Sequence, residues 1–230
     1  MSEAALRADI VARCKELDMR GLNRGASGNV SVRMDDTMLI TPSAVPYTEL
    51  EPGMIARMPL DGDYGAWEGP MKPSTEWRFH LDLMRARPQI GAVVHTHAEF
   101  STILAIAHKP IPAIHYMMAA FGGTVIPCCK YARYGTAELS EAILRALGDM
   151  NACLMANHGM LTVGADLTRA TWLAHELEAL AHQYFHVLLI GGGHILSDAE
   201  IAEAAEGFSS YGVQDRGDGQ KRGSSQTTSS

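Results

Sequence analysis

The chain has 230 residues, 47% of them hydrophobic and 20% charged, which is the composition of an ordinary globular domain with a sizeable core. A formal net charge of −7 at pH 7 excludes the extended basic surface that binding to nucleic acid requires. No apolar run of about 18 residues and no secretory signal occurs, so we expect no membrane association and a cytoplasmic protein. The four cysteines lie in apolar stretches without CxxC spacing, which favours buried free thiols over a disulfide framework or a zinc knot.

The first third of the chain is predicted to form a helix followed by strands. Apolar residues recur with helical spacing over residues 3–20, with Ser2 as the N-cap. Alternating apolar residues on both sides of an acidic pair predict a β-hairpin over residues 30–41. A further strand is predicted at residues 55–60.

The rest of the chain alternates between helices and short strands. Pro73 opens a helix that Pro88 ends, and Glu76 falls in its first turn. The other predicted elements are strands at 92–97 and 152–156 and helices at 100–107, at 167–190 and from Ser197 to just before Tyr211. Hairpins mixed with crossovers indicate one α/β domain over residues 1–215, with a mixed, largely antiparallel sheet covered by helices. Residues 216–230 contain no apolar side chain and are predicted to be a disordered tail.

Two histidines on one predicted strand are the strongest chemical signal. His95 and His97 are two residues apart, so on a strand they share a face and could chelate one metal ion. An isolated pair of this kind more often satisfies ordinary hydrogen bonds, but His158 ends another buried strand and precedes a glycine that relieves crowding. Three histidines with one open coordination position are typical of a catalytic metal, whereas structural zinc sites use four protein ligands. Glu76 is the natural base beside such a site.

Other metal arrangements fit the sequence less well. His97 is followed by Ala-Glu-Phe, which does not complete the HxHxDH pattern of metallo-β-lactamases, and no HExxH motif of zinc proteases occurs. His175, His182 and His186 share one face of the long predicted helix, but their spacing is too wide for one ion. We predict that these three are core or interface residues.

Three short polar turns are suited to binding an anion. They are residues 25–29, residues 41–44 and the Ser74-Thr75 pair at the start of a helix. Glycine turns and helix N-termini present unpaired N–H donors with a favourable dipole, and hydroxyl and amide side chains add hydrogen bonds. Ordinary capping explains each turn equally well when it is taken alone. Together with a metal site, the three turns predict an anionic substrate.

Six segments, in the same order, resemble the class II aldolase/adducin family. They are residues 21–32, 39–43, 73–80, 93–97, 111–117 and 157–159. The resemblance covers about residues 3–213, and within the family it is strongest to the L-fuculose-1-phosphate aldolases. It implies a single three-layer α/β/α domain and metal-dependent, reversible cleavage of a ketose 1-phosphate into dihydroxyacetone phosphate and an aldehyde.

The resemblance also implies roles for particular residues. The ligands of a zinc ion, or of another divalent ion such as Mn²⁺ or Co²⁺, correspond to His95, His97, His158 and Glu76. The substrate phosphate cradle corresponds to Gly28, Asn29, Ser43, Ala44, Ser74 and Thr75. Glu76 matches the catalytic acid/base, and Tyr116 matches a tyrosine that exchanges a proton with the aldehyde oxygen. Tyr211 matches a tyrosine brought from a neighbouring subunit, which implies a homotetramer with active sites at its interfaces.

Departures from the fuculose pattern leave the sugar open. Ala44 stands where glycine is usual, Thr75 where serine is usual and Tyr134 where phenylalanine is usual. We predict that Tyr134 and the Met117-Met118 pair line the aldehyde side and favour a salvage-type sugar with an apolar end. Such a sugar is 5-deoxyribulose 1-phosphate or 5-methylthioribulose 1-phosphate, accepted at least as readily as L-fuculose 1-phosphate. The alternatives on the same scaffold are a pentulose-phosphate 4-epimerase, a decarboxylase or a non-catalytic, adducin-like interaction domain.

Overall fold

The structure is a computed structural model that describes residues 1–208. The α-helices in this range are Glu3–Met19 (α1), Trp77–Ala86 (α2), Glu99–Ile106 (α3), Ala137–Leu147 (α4), Leu167–Leu189 (α5) and Asp198–Phe208 (α6). The strands are Asn29–Met34 (β1), Thr37–Ile40 (β2), Ala56–Pro59 (β3), Ala92–Thr96 (β4), Ile111–Pro112 (β5), Val125–Ile126 (β6), Cys128–Cys129 (β7), Ala152–Met155 (β8) and Gly159–Gly164 (β9). Short 3-10 helices span Tyr47–Glu49, Pro52–Met54 and Tyr116–Phe121.

Seven strands form one sheet in the order β3-β2-β1-β4-β9-β8-β7. Five of the six neighbouring pairs are antiparallel, and only β7 and β8 run parallel. Strands β5 and β6 pair separately as a small antiparallel ribbon. The predicted mixed, largely antiparallel sheet is therefore confirmed.

Helices cover both faces of this sheet. The side chains of successive strand residues point to opposite sides, so the apolar residues on each face are buried by a layer of helices. In β4, Ala92 and Val94 belong to the core cluster that contains the buried faces of α1, α3 and α5. Val93, between them, belongs to the second cluster, with the buried residues of α2 and α4. The domain is thus a three-layer α/β/α unit, as the resemblance implies.

The helix boundaries follow local capping interactions. Ser2 Oγ accepts a hydrogen bond from Ala5 N–H at 3.3 Å, which confirms Ser2 as the N-cap of α1. Helix α4 is not among the predicted elements, although Thr136 Oγ1 accepts a hydrogen bond from Leu139 N–H at 3.3 Å in the same way. Glu76 is the residue immediately before α2 rather than part of its first turn, and its side chain makes no capping hydrogen bond. Its carboxylate is therefore free to face the sheet.

The described residues also bear on the expectations about membrane helices and cysteines. None of the helices in residues 1–208 combines the length and apolar character that crossing a bilayer requires. All four cysteines are free, and Cys14, Cys129 and Cys153 are buried as predicted, whereas Cys128 is only partly buried. Tyr211, the end of the predicted domain at residue 215 and the predicted tail lie outside the described residues.

Candidate metal centre and substrate cavity

The predicted histidine pair lies at the end of β4, in the middle of the sheet. His95 is fully buried, and His97 follows one residue beyond the strand. The Nδ1 atom of His95 lies 2.8 Å from the backbone carbonyl oxygen of Met160. A carbonyl oxygen only accepts, so Nδ1 of His95 carries a hydrogen, and the Nε2 of the neutral ring offers a lone pair to a metal. This Nε2 lies 3.2 Å from the Nε2 of His97.

Glu76 and His158 complete this group from different parts of the chain. Glu76 precedes α2, and His158 lies in the turn between β8 and β9. The Oε2 atom of Glu76 is 3.2 Å from His95 Nε2, and its Oε1 atom is 3.4 Å from His158 Nε2. Glu76 is only 6% exposed, and its Oε1 is a buried atom without a hydrogen-bond donor in the described structure. The four side chains therefore converge on one small volume.

Burial and neighbouring groups shift the pKa values of His97, His158 and Glu76. Burial lowers the pKa of His97 to about 4 and that of His158 to about 3, so both rings are neutral near pH 7. Burial alone would raise the pKa of Glu76, but the neighbouring histidines and the Asn29 amide lower it below its usual value. The carboxylate is thus ionised, and the neighbouring His97 and His158 rings are neutral near pH 7.

A divalent ion fits this donor set. The histidine ligand atoms lie within 4.8 Å of one another. The Nε2–Nε2 separation of 3.2 Å and the Glu76 contacts of 3.2 and 3.4 Å match the separation of about 3.3 Å between ligands that bind a tetrahedral ion at about 2.0–2.1 Å. Converging lone pairs repel one another unless a cation lies between them. The residues present are therefore suited to hold a metal, as the sequence analysis predicts.

Two glycines allow the backbone to approach this group closely. A Cβ atom on Gly159 would lie 2.5 Å from the backbone oxygen of Thr96 and 2.9 Å from Cδ2 of His97. Gly28 has a φ of +82°, and a Cβ there would lie 2.7 Å from the backbone oxygen of His95. Gly159 thus lets His158 lie beside His97, which agrees with the predicted relief of crowding. Gly28 brings the polar turn at residues 25–29 against β4.

A cavity of about 320 Å³ opens beside the histidines. Its lining includes all six residues of the predicted phosphate cradle, Gly28, Asn29, Ser43, Ala44, Ser74 and Thr75, together with Glu76, His97 and His158. Ser43 N–H and Ser74 N–H donate to backbone oxygens, so these hydroxyl-bearing turns are held firmly. Ala44 has a φ of +59°, a backbone conformation that favours glycine. The cavity is within the size range of small-molecule sites.

Some predicted residues do not reach this cavity within one chain. Tyr116 is 53% exposed and lines a separate groove with Met117, Trp172 and Phe208. Met118 is fully buried in the core. The prediction that Met117 and Met118 form a wall of the substrate cavity is therefore wrong for a single chain, because the 3-10 helix that carries them packs away from the metal centre.

The histidines of the long helix α5 do not form a second metal site. His175 Nε2 lies 3.5 Å from Glu16, and the ring of His182 packs against Phe100 at a centroid distance of 4.1 Å. In residues 1–208 only one group of three side chains could hold a metal, the one at His95. His175 is half-buried against α1, whereas His182 and His186 are exposed and so do not belong to the core. An interface role for His182 and His186 stays a prediction.

Tyr134, a predicted residue, lines the cavity and is 62% exposed. Three further lining residues, Tyr131, Ala132 and Asn157, are not among the predicted site residues, and Tyr131 is 63% exposed. Ala132 and Asn157 complete this side. Asn157 has a φ of +53° and shares a 2.6 Å hydrogen bond with His108. The Asn157-His158-Gly159 motif is the only local signal that could have indicated Asn157.

Comparison with known proteins identifies relatives along almost the whole chain. The sequence model described as Class II Aldolase and Adducin N-terminal domain matches residues 8–185. The 5-methylthioribulose-1-phosphate/5-deoxyribulose-1-phosphate aldolase of Rhodospirillum rubrum is 46% identical over 211 residues, which cover 92% of this chain and 94% of the relative. An L-fuculose phosphate aldolase of Escherichia coli is 46% identical over 215 residues, which cover 93% of this chain and 99% of the relative.

The fold agrees with this relationship. A solved structure of an L-fuculose 1-phosphate aldolase superimposes with a TM-score of 0.86 at 33% sequence identity, covering 91% of this chain and 98% of that chain. Both the sequence and the fold match over nearly the full length of these proteins. The chain therefore belongs to the class II aldolase/adducin family.

Proposed function

We propose that this protein is a zinc-dependent class II aldolase that reversibly cleaves a ketose 1-phosphate into dihydroxyacetone phosphate and an aldehyde. The observation that carries the proposal is the convergence of three histidine Nε2 atoms and the ionised Glu76 carboxylate beside a cavity lined by hydroxyl and amide groups. Full retention of this group argues against a non-catalytic, adducin-like role.

His95, His97 and His158 would hold the metal, and Glu76 would approach it from the cavity side. A bound divalent ion supplies Lewis-acid stabilisation of the negative charge that develops on the substrate oxygens during carbon–carbon bond cleavage. No lysine occurs among the described residues that line the cavity, so the described lining offers no amine for a Schiff base. Zinc suits three neutral imidazoles, and Mn²⁺ or Co²⁺ are the other candidate ions.

Glu76 is placed to move a proton at a substrate carbon. Its carboxylate lines the cavity, is almost fully buried and accepts a 3.0 Å hydrogen bond from Asn29 Nδ2. An ionised carboxylate there can take a proton from dihydroxyacetone phosphate in the direction of synthesis and return it to carbon in the direction of cleavage. We assign to Glu76 this acid/base role in addition to its contact with the metal.

The phosphate of the substrate would lie among the polar turns. Ser43, Ser74 and Thr75 offer hydroxyl groups, and Thr75 lies two residues before the N-terminus of α2, where the helix dipole favours an anion. The described lining contains no arginine or lysine, so neutral donors would carry the phosphate contact. This arrangement supports a phosphorylated three-carbon half of the substrate.

The aldehyde half would lie towards Tyr131 and Tyr134. Their partly exposed rings offer apolar surface at the opening of the cavity, which supports a sugar with an apolar end, such as 5-deoxyribulose 1-phosphate or 5-methylthioribulose 1-phosphate. Identity to relatives does not separate this choice from L-fuculose 1-phosphate, because a relative of each kind is 46% identical to the chain.

We further propose that the protein is a homotetramer whose subunits share active sites. Tyr116 lies outside the cavity of its own chain, beside exposed apolar surface, so a proton-transfer role requires that it enter the cavity of another copy. Mixing inactive Glu76→Gln and Tyr116→Phe subunits should then restore part of the activity, because some sites combine intact residues from both. Mixed assemblies that stay inactive would contradict shared sites.

The decisive experiment is a metal-reconstituted cleavage assay. Protein stripped with a chelator is reloaded with Zn²⁺, Mn²⁺ or Co²⁺ and tested on the three ketose 1-phosphates, with dihydroxyacetone phosphate detected as the product. One apolar group in a pocket changes kcat/KM by about 10–200-fold, so a preference of that size identifies the substrate. Inversion at C4 without cleavage would indicate the epimerase, loss of carbon dioxide from an acid would indicate the decarboxylase, and no turnover would contradict the aldolase.

A further inference from the structure

A buried series of hydrogen bonds links Ser31 to Glu76 behind the cavity. Ser31 Oγ lies 2.7 Å from His80 Nδ1, and His80 Nε2 lies 2.5 Å from Asn29 Oδ1. The Asn29 amide then donates from Nδ2 to Glu76 Oε2 at 3.0 Å. Ser31 and His80 are fully buried, and Asn29 is 3% exposed. Water therefore does not compete for the partners of His80.

The donors in this series can be ordered from the Glu76 end. An ionised carboxylate only accepts hydrogen bonds, so Asn29 turns Nδ2 towards Glu76 and Oδ1 towards His80. The amide oxygen also only accepts, so His80 carries its hydrogen on Nε2. Burial lowers the pKa of His80 to about 3, so the ring is neutral and its Nδ1 accepts from the Ser31 hydroxyl. One tautomer and one amide orientation satisfy every partner.

Packing holds the His80 ring in this position. The ring stacks on Phe79 with a centroid distance of 4.5 Å and an interplanar angle of 22°. His80 lies on α2, and Glu76 immediately precedes that helix, one turn before His80. The same segment therefore positions the Glu76 carboxylate and the ring that contacts its partner Asn29. A reversed Asn29 amide would place Oδ1 against the carboxylate, and two buried acceptors in contact repel each other strongly.

We propose that His80 is a positioning residue that fixes the orientation of the Asn29 amide, and through it the Glu76 carboxylate. The Ser31 hydroxyl donates to Nδ1 of the Nε2–H tautomer, and the Nε2 hydrogen holds Oδ1 of Asn29 away from Glu76. Asn29 also lines the cavity, so the same contact decides whether an N–H or an oxygen of this amide meets the substrate. His80 does not itself line the cavity. The inference rests on the proposed acid/base role of Glu76.

Two substitutions at His80 separate positioning from packing. His80→Phe keeps a ring that can stack on Phe79 but removes the donor, and we expect kcat/KM to fall by about 10–100-fold, the usual effect of removing an outer partner at such a site. His80→Gln keeps an N–H group near the position of Nε2 and should recover most of that loss. Thr162→Val is the matched control, because it removes a buried hydrogen bond to Ala170 on the other face of the sheet. It should lower stability towards urea without lowering kcat.

A double-mutant cycle tests whether His80 acts through Asn29. Independent effects multiply to within about twofold, so a purely structural loss would persist when Asn29 is already alanine. We expect His80→Phe to cost less than about threefold in the Asn29→Ala background. A full loss in that background, or a His80→Gln variant as impaired as His80→Phe, would overturn the proposal.

The ring nitrogens of His80 in the wild-type protein provide a test that needs no turnover. Nitrogen-15 spectra of protein labelled in its histidine rings distinguish protonated from unprotonated ring nitrogens, and the His80→Gln spectrum assigns the His80 signals. We expect Nε2–H and an unprotonated Nδ1 in metal-free and metal-loaded protein alike. The opposite tautomer would overturn the inference even if cleavage is normal. Failure of the wild-type protein to cleave any ketose 1-phosphate would instead contradict the proposed function, and the spectrum would still decide the tautomer.

Discussion

Gly159 lies where two strands and three metal-site histidines come closest, so adding one methyl group there perturbs the centre without removing a ligand. In Gly159→Ala, the new Cβ would lie 2.5 Å from Thr96 O, 2.9 Å from His97 Cδ2 and 3.3 Å from His95 Cε1. Strand β9 or the end of β4 must retreat by about 0.5 Å or more, because a packed interior does not tolerate contacts below about 3.0 Å. The adjacent Met160 carbonyl, which orients His95, would move as well.

Two quantities should change in this variant. Overpacking of this kind costs about 1–3 kcal/mol of the free energy of unfolding. Displacing ligand rings and the group that orients one of them should weaken metal binding by about 10–100-fold. Urea unfolding of metal-free protein measures the first quantity, and metal content after dialysis against a competing chelator measures the second.

The matched control is Gly53→Ala, in a 3-10 helix, where an added Cβ would meet no atom within 4 Å. We expect it to leave both quantities unchanged. If Gly159→Ala unfolds at the same urea concentration as the wild type and keeps its metal equally well, the crowding argument is wrong.

Four further outcomes are expected. His158→Ala should lose bound metal and cleavage together, and full metal occupancy by elemental analysis would contradict its role as a ligand. Glu76→Gln should keep most of the metal but lower turnover by about 10²–10⁴-fold, and near-normal cleavage would remove it from the acid/base role. Ala44→Gly should raise stability towards urea by about 1 kcal/mol, since a φ of +59° disfavours alanine; unchanged or lower stability would contradict this. Truncation after Arg216 should leave cleavage unchanged, because the removed residues have no apolar side chain to bury; loss of activity would show otherwise.

The elements predicted correctly are those in which local pattern and tertiary burial agree. Helices α1 and α5 bury one stripe of apolar residues, so their periodicity is visible in the sequence. Strands β5, β6 and β7 are two residues long and are too short to show any period. Helix α4 was detectable from Leu139, Ile143 and Leu147 at four-residue intervals. The strand order, with β1 between β2 and β4, depends on long-range packing that no local pattern encodes.

Some residues of the candidate site can be predicted from local sequence, and others depend on long-range packing. The His95 and His97 pair is evident from the sequence because strand geometry places alternate residues on one face. Asn29 is the direct cross-strand partner of His95, and this pairing follows from the register between β1 and β4 rather than from any local motif. The contact from His80 to Asn29 joins residues 51 positions apart. Its only local signal is that His80 lies one helical turn beyond Glu76.

The residues proposed for the chemistry and those proposed for substrate choice differ in burial. Glu76, His95 and Asn29 are almost fully buried, and each is held by contacts with strands in the middle of the sheet. Changing any of them disturbs the core, because a buried polar group that loses its partner is costly. Tyr131 and Tyr134 lie between β7 and α4 and are more than half exposed, so substitutions there cost little stability. Substitution at these exposed tyrosines is thus compatible with an unchanged buried group, and equal identity to two aldolases with different named substrates does not identify the sugar.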